Sequence, residues 1–147
     1  MNLVRTRCLV TGCSSGIGRA TALALERAGA DVWASARRPQ SIADLEPRGI
    51  RCLELDVTDT AAVSRAVSLV KGVDILVNNA GYGIEGAIEE VTDEDLFEQY
   101  NTNIFGPWRL CRAFLPGMRE RGCGAIVNIS SFGGEVPFPG IGAYRTS

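Results

Sequence analysis

Three groups of residues in this sequence have the types and spacing for chemistry. The first is the glycine set Gly12, Gly16 and Gly18 in the run Thr11-Gly12-Cys13-Ser14-Ser15-Gly16-Ile17-Gly18. Apolar Cys8-Leu9-Val10 precedes it and a helical pattern follows. Strand, glycine turn and helix in that order can cradle a dinucleotide pyrophosphate. Glycine permits a sharp turn and close approach of backbone to phosphate, and the helix start offers N–H groups and a positive dipole end. The second group is Arg37-Arg38, about twenty residues further on, where a site for NAD usually places an acid. Two guanidinium groups there suit a ribose 2′-phosphate, so NADP(H) is expected over NAD(H). The third group is hydroxylic: Ser130-Ser131 and Tyr144. The sequence has no histidine, so any acid–base work falls to another residue type.

The elements that must position these groups alternate. Leu3 to Thr11 reads as a strand. Ile17, Ala20, Thr21, Ala24, Leu25 and Ala28 then recur at helical spacing, with Gly29 as the stop. Asp31 to Ala36 is a second strand, and a short helix near Ser41 to Glu46 ends by Pro47. Arg51 to Asp56 is a third strand. Val63, Ala66, Val67 and Val70 mark the next helix, capped by Thr58 or Asp59 and followed by Gly72. Val73 to Asn78 is a fourth strand. Thr92 caps a long helix from Asp93 to Arg121, with a bend expected at Pro107. Ala125 to Ser130 is a fifth strand, Phe132 to Ile141 a loop, and Ala143 opens a further helix. This alternation predicts an α/β fold, a doubly wound parallel sheet with helices on both faces.

Bulk properties narrow the function classes. A length of 147 residues fits one domain, and 46% hydrophobic with 22% charged residues suits a globular one. A formal net charge of −2 gives no reason to expect nucleic acid as a partner. No apolar run is long enough for a membrane span. The five cysteines are scattered, with no C-x-x-C, so free thiols in a reducing cytoplasm are expected and a metal site is not. Cys13 reads as a small filler of the glycine turn. Phe132, Phe138 and Ile141 could line an apolar pocket or pack in a core.

The motifs in order resemble the short-chain dehydrogenase/reductase family. They are the glycine run, Asn78-Asn79-Ala80-Gly81 at the end of the fourth strand, Asn103 within the long helix, Ser131, and Tyr144 thirteen residues later. The glycine run, Leu55-Asp56-Val57 and Asn79-Ala80-Gly81-Tyr82-Gly83 look most like the branch acting on steroids, retinoids and similar apolar alcohols or ketones. The resemblance implies a Rossmann-type sheet, hydride transfer between an alcohol and a ketone or aldehyde, and a homo-oligomer for the full-length protein. It implies that Gly12, Ser14, Ser15, Gly16, Ile17 and Gly18 hold the cofactor's phosphates, with Arg37 and Arg38 on the 2′-phosphate. Asp56 and Val57 would lie beside the adenine, and Asn79, Ala80 and Gly81 would line the cofactor. Ser131 would hydrogen-bond the substrate carbonyl, Tyr144 would exchange its proton with that oxygen, and Asn103 would help hold a water.

The family also implies a lysine four residues after the tyrosine. A free phenol titrates near ~10, and an adjacent ammonium brings it toward neutral working range. Tyr144 plus four is position 148, beyond Ser147, and Arg145 is one residue away and on another helix face. Residues 1–147 are therefore expected to form a single NADP-binding Rossmann domain, incomplete after its fifth strand and inactive by itself. A non-catalytic dinucleotide-binding module remains the alternative, and so does a fragment with no independent function. The simpler readings of the individual residues also stand at this point. Arg37 and Arg38 could be a solvated pair, Asp56 a strand terminator, and Asn103 a backbone partner near the helix bend.

Overall fold

The computed structural model describes residues 3–136 and 139–147; Phe138 lies outside them. Five strands form one parallel sheet: β1 (Arg7–Val10), β2 (Asp31–Ala36), β3 (Arg51–Glu54), β4 (Ile75–Asn78) and β5 (Ala125–Asn128). Their order across the sheet is β3-β2-β1-β4-β5. The chain winds outward from β1 to β3, crosses back, and winds the other way through β4 and β5. The reversal lies between β1 and β4, and a crevice at such a switch point is where open α/β sheets bind ligands.

The period-two alternation of each strand divides its side chains between two cores. Leu9, Leu53 and Leu76 face a core with Val63, Ala66, Leu110, Phe114 and Met118. Those residues come from α2 (Thr60–Leu69) and α4 (Gly106–Arg121). Cys8, Val10, Val32, Ala34, Ile75 and Val77 face the other core, with Ala22 of α1 (Gly16–Arg27) and Ile42 and Leu45 of the segment after β2. Strands buried on both faces read as near-continuous apolar runs, as Cys8-Leu9-Val10 and Ile75-Leu76-Val77 do.

Local chemistry ends most helices as the sequence predicts. Asp59 caps α2 by accepting from the N–H of Ala61, and Thr92 caps α3 (Asp93–Tyr100) by accepting from Asp95. Gly29 and Gly72 take positive φ values of 84° and 73° just past their helices.

Three expectations are corrected. The segment after β2 is a 3-10 helix from Pro39 to Arg48 that runs through Pro47. Its apolar residues Ile42 and Leu45 are fully buried, and that burial outweighs the proline's missing donor. The long helix is not one α-helix bent at Pro107. It is α3, a π-helical turn over Asn101–Phe105, and α4, with Pro107 in the first turn of α4, where a missing N–H costs little. The segment after β5 is not all loop, for α5 spans Phe132–Glu135, and Ser131 caps it through its side chain. A last short helix, α6 (Gly142–Arg145), carries Tyr144. β5 is an edge strand, and Val127 within it and Ile129 just after it are exposed, as its position implies.

Candidate active site

The strands' carboxyl ends open into a cleft of about 1350 Å³. Its floor is the glycine turn, and the reasons for glycine differ at each position. Gly12 has φ +70°, and a Cβ there would lie 2.8 Å from the Cα of Ala80. Gly18 is packed from beneath: a Cβ would come 2.3 Å from Asn79 Nδ2 and 2.5 Å from the Gly12 carbonyl oxygen. Gly16 has φ +58° with nothing within 4 Å of its Cβ position. Two of the glycines thus close the turn against β4, and the third leaves its surface open to the cleft.

Side-chain bonds lock this turn to the sheet. The hydroxyl of Thr11 donates to the Val77 carbonyl at 3.3 Å and accepts from the N–H groups of Asn79 and Ala80, both at 3.0 Å. The Asn79 amide donates back to the carbonyls of Thr11 at 2.9 Å and Gly12 at 3.2 Å. Helix α1 begins directly above, with no acid in its first turn and no side-chain cap from Ser15. Its N-terminal N–H groups and dipole therefore present a surface suited to an anion. Cys13 sits within the turn with no solvent exposure, and its thiol donates to the Val10 carbonyl. Burial pushes that thiol up to about 11, which makes it a packing group and no nucleophile at neutral pH.

Gly12, Ser14, Ser15, Gly16, Ile17 and Arg37 line the cleft at this end, together with Asp56, Val57, Asn79, Ala80 and Gly81. Gly18 lies under the turn and Arg38 is not among the lining residues. The Arg38 carbonyl accepts from the N–H and hydroxyl of Ser41, which places Arg38 at the start of the 3-10 helix. Asp56 turns the chain after β3 by accepting from the N–H of Thr58 at 2.9 Å and its hydroxyl at 2.7 Å. Val57 packs so closely on Gly106 that a Cβ there would meet it at 2.7 Å.

Ser131, Asn103 and Tyr144 line the opposite end of the same cleft. A Cβ on Gly133 would stand 3.2 Å from Cε1 of Tyr144 and 3.4 Å from the Ser131 hydroxyl oxygen, so those two side chains converge on one point. Ser131 Oγ accepts from the Gly133 N–H at 3.1 Å. Asn103 bonds both backbone groups of Tyr82, accepting from its N–H at 3.1 Å and donating to its carbonyl at 2.8 Å, and also donates to Ser147 Oγ at 3.0 Å. It does so from the π-helical turn, the kind of helix defect that often sits at functional sites.

Gln99 was not evident as a site residue from the sequence. It is completely buried. Its amide accepts from the Ile84 N–H at 2.8 Å and donates to the Ala143 carbonyl at 2.8 Å. The available signal was its place four residues before Asn103, on the same helix face.

The model of the short chain dehydrogenase family matches residues 6–147. The chain belongs to that family. Its fold is that of an oxidoreductase family whose members bind nicotinamide dinucleotides and act on small molecules. A 3-ketodihydrosphingosine reductase of Bacteroides thetaiotaomicron is 42% identical over 144 residues, 95% of this chain and 52% of that protein. A crystal structure of a short-chain dehydrogenase from Streptomyces avermitilis superposes with a TM-score of 0.89 at 45% identity, covering 96% of this chain and 55% of that one. The closed form of a serine dehydrogenase complexed with NADP+ gives 0.89 at 32% identity, covering 95% and 60%. The chain spans about half the length of the curated relatives it matches. Among the described residues no helix is long and apolar enough to cross a membrane, and no group of residues could hold a metal ion.

Proposed function

We propose that these residues are the cofactor-binding and proton-transfer part of an NADP(H)-dependent oxidoreductase that interconverts an alcohol and a ketone or aldehyde. The observation that carries the reading is a single cleft with an anion-binding turn at one end and converging Ser131 and Tyr144 at the other. The residues present fit a dinucleotide. Gly16 leaves open space at a positive φ, α1 has no acid in its first turn, and Arg37 lines the same end of the cleft, which supports a 2′-phosphate partner there. The nicotinamide, when bound, supplies or takes the hydride.

The chain's own groups would handle the substrate oxygen. Ser131 Oγ accepts from Gly133, which leaves its proton to donate to a carbonyl. Tyr144 Oη gives a proton to that oxygen in reduction and takes one back in oxidation. Asn103 has its amide bonded to Tyr82 and Ser147, so we assign it to holding the loop after β4 in place. Ile104, Ile129 and Phe132 give the cleft apolar surface, which favours an apolar substrate. The name of the Bacteroides relative, 3-ketodihydrosphingosine reductase, supports the same reading.

In the whole protein, Tyr144→Phe should abolish turnover and leave NADPH affinity within about twofold; retained turnover overturns the role given to Tyr144. For residues 1–147 by themselves we propose binding without turnover, as a dinucleotide-binding module. The one lysine of the sequence, Lys71, precedes β4 at the end of the sheet away from the cleft, so among the described residues no lysine ammonium stands beside Tyr144. An NADPH fluorescence titration with an assay for hydride transfer separates the two. We also read the whole protein as a cytoplasmic homo-oligomer. The thiols are all free, and α3, α4 and the π turn between them leave Phe97, Phe105, Trp108 and Leu115 exposed. Light scattering tests the assembly.

A further inference from the structure

A polar side chain with no solvent exposure needs a reason, and Gln99 has three bonds. Oε1 accepts from the Ile84 N–H at 2.8 Å. Nε2 donates to the Ala143 carbonyl at 2.8 Å and to Ser147 Oγ at 3.1 Å. Two of these partners border one contact, because Ile84 follows Gly83 and Ala143 precedes Tyr144. The Tyr144 ring lies so close to Gly83 that a Cβ there would sit 3.0 Å from ring atoms Cγ and Cδ2. A Cβ on Gly133 would stand 3.2 Å from Cε1 of the same ring. Two glycines therefore border the ring, and neither position has room for a side chain without moving it. One buried amide joins the backbone beside Gly83 to the backbone that bears the ring.

We propose that Gln99 is a positioning residue for Tyr144, fixing Gly83-Ile84 against Ala143-Tyr144 and so setting where the phenol stands in the cleft. The consequence for catalysis rests on the reading of Tyr144 as the proton-transfer residue; the positioning itself does not. Each end of the amide acts on a different segment. Gln99→Glu keeps an acceptor for Ile84 but sets a carboxylate oxygen against the Ala143 carbonyl. Gln99→Met keeps length and apolar bulk and loses every bond. Gly83→Ala leaves the amide intact and pushes on the ring directly.

The test is carbon-13 NMR of the 147-residue chain with its three tyrosines labelled at Cζ, the Tyr144 signal being assigned by its loss in Tyr144→Phe. Gln99→Glu and Gln99→Met should move or split the Tyr144 resonance and leave those of Tyr82 and Tyr100 nearly in place. Gly83→Ala should displace the same resonance, and NADPH affinity should stay within about twofold throughout. Should Gln99→Glu not fold, Gln99→Met and Gly83→Ala decide. An unmoved Tyr144 signal, equal movement of all three tyrosines, or unfolding of every Gln99 variant overturns the proposal. In the whole protein Gln99→Met should lower kcat about 100-fold, as a small misplacement of a reacting group does, with KM for NADPH unchanged. If the Tyr144 resonance moves as expected but Tyr144→Phe still turns over, the positioning stands and the proton-transfer reading fails.

Discussion

The two ends of the cleft are built by different means. The glycine end is made of backbone. Two glycines let chain approach chain, a third leaves its surface open, and a threonine and an asparagine next to them bind backbone groups at the ends of β1 and β4. The tyrosine end is held by side chains reaching across the fold. Gln99 and Asn103 project from α3 and the π turn to clasp residues more than forty positions later. The first construction sits over buried strands, and the second joins three exposed or half-buried segments. The glycine end should therefore resist change in its neighbours and fail at its own residues, while the tyrosine end should shift by degrees.

The sharpest way to break this contrast is Gly18→Ala. The added methyl would meet Asn79 Nδ2 and the Gly12 carbonyl well inside contact distance, and backbone there cannot give way. We expect about 2–3 kcal/mol of lost stability in urea unfolding and no measurable NADPH binding. Thr11→Val comes next. It leaves the half-buried N–H groups of Asn79 and Ala80 without their shared acceptor, at about 1–2 kcal/mol by the same unfolding measurement. Arg37→Ala should weaken NADPH binding about tenfold and leave NADH unchanged in fluorescence titration. Arg38→Ala should leave both affinities unchanged, since of the two arginines Arg37 lines the cleft and Arg38 does not.

The smallest effect is a pH dependence. The Cys13 thiol is raised from its ordinary 9.0 to about 11 by burial. The unfolded chain ionises this thiol first, so its contribution to stability is full below about pH 9 and is lost as pH rises toward about 11. Cys13→Ala should remove that part of the alkaline decline in unfolding free energy. A decline of equal size in both proteins would show that the thiol is not held neutral.

The same contrast explains what was legible in the sequence. The glycine end is local: strand, turn and helix are contiguous, and each glycine has its own steric reason, so residue types and spacing suffice. The strands were legible too, because each apolar run is short and bounded. The segment at Pro47 was misread because a proline signal is local and the burial of Ile42 and Leu45 is not. Only the packed fold separates Arg37, in the cleft, from Arg38, outside it. Gln99 was overlooked for the same reason. A lone glutamine on an acidic helix reads as surface until Ile84 and Ala143 arrive from elsewhere in the chain.

The π turn at Asn101–Phe105 makes the helix through Gln99 and Asn103 sensitive to length as well as to identity. A π turn carries a residue more than an α turn. Deleting one residue there would let α3 and α4 run as a single regular helix. The π turn winds each residue through less than the roughly 100° of an α-helix, so the shortened helix would leave α3 and α4 facing much as they do now. Leu110, Phe114 and Met118 would keep their core and Gln99 its place by Tyr144, while the wide turn that carries Asn103 would be lost. The extra residue thus acts on Asn103 alone, and its loss would be a local change at the cleft that the helix faces on either side hardly feel.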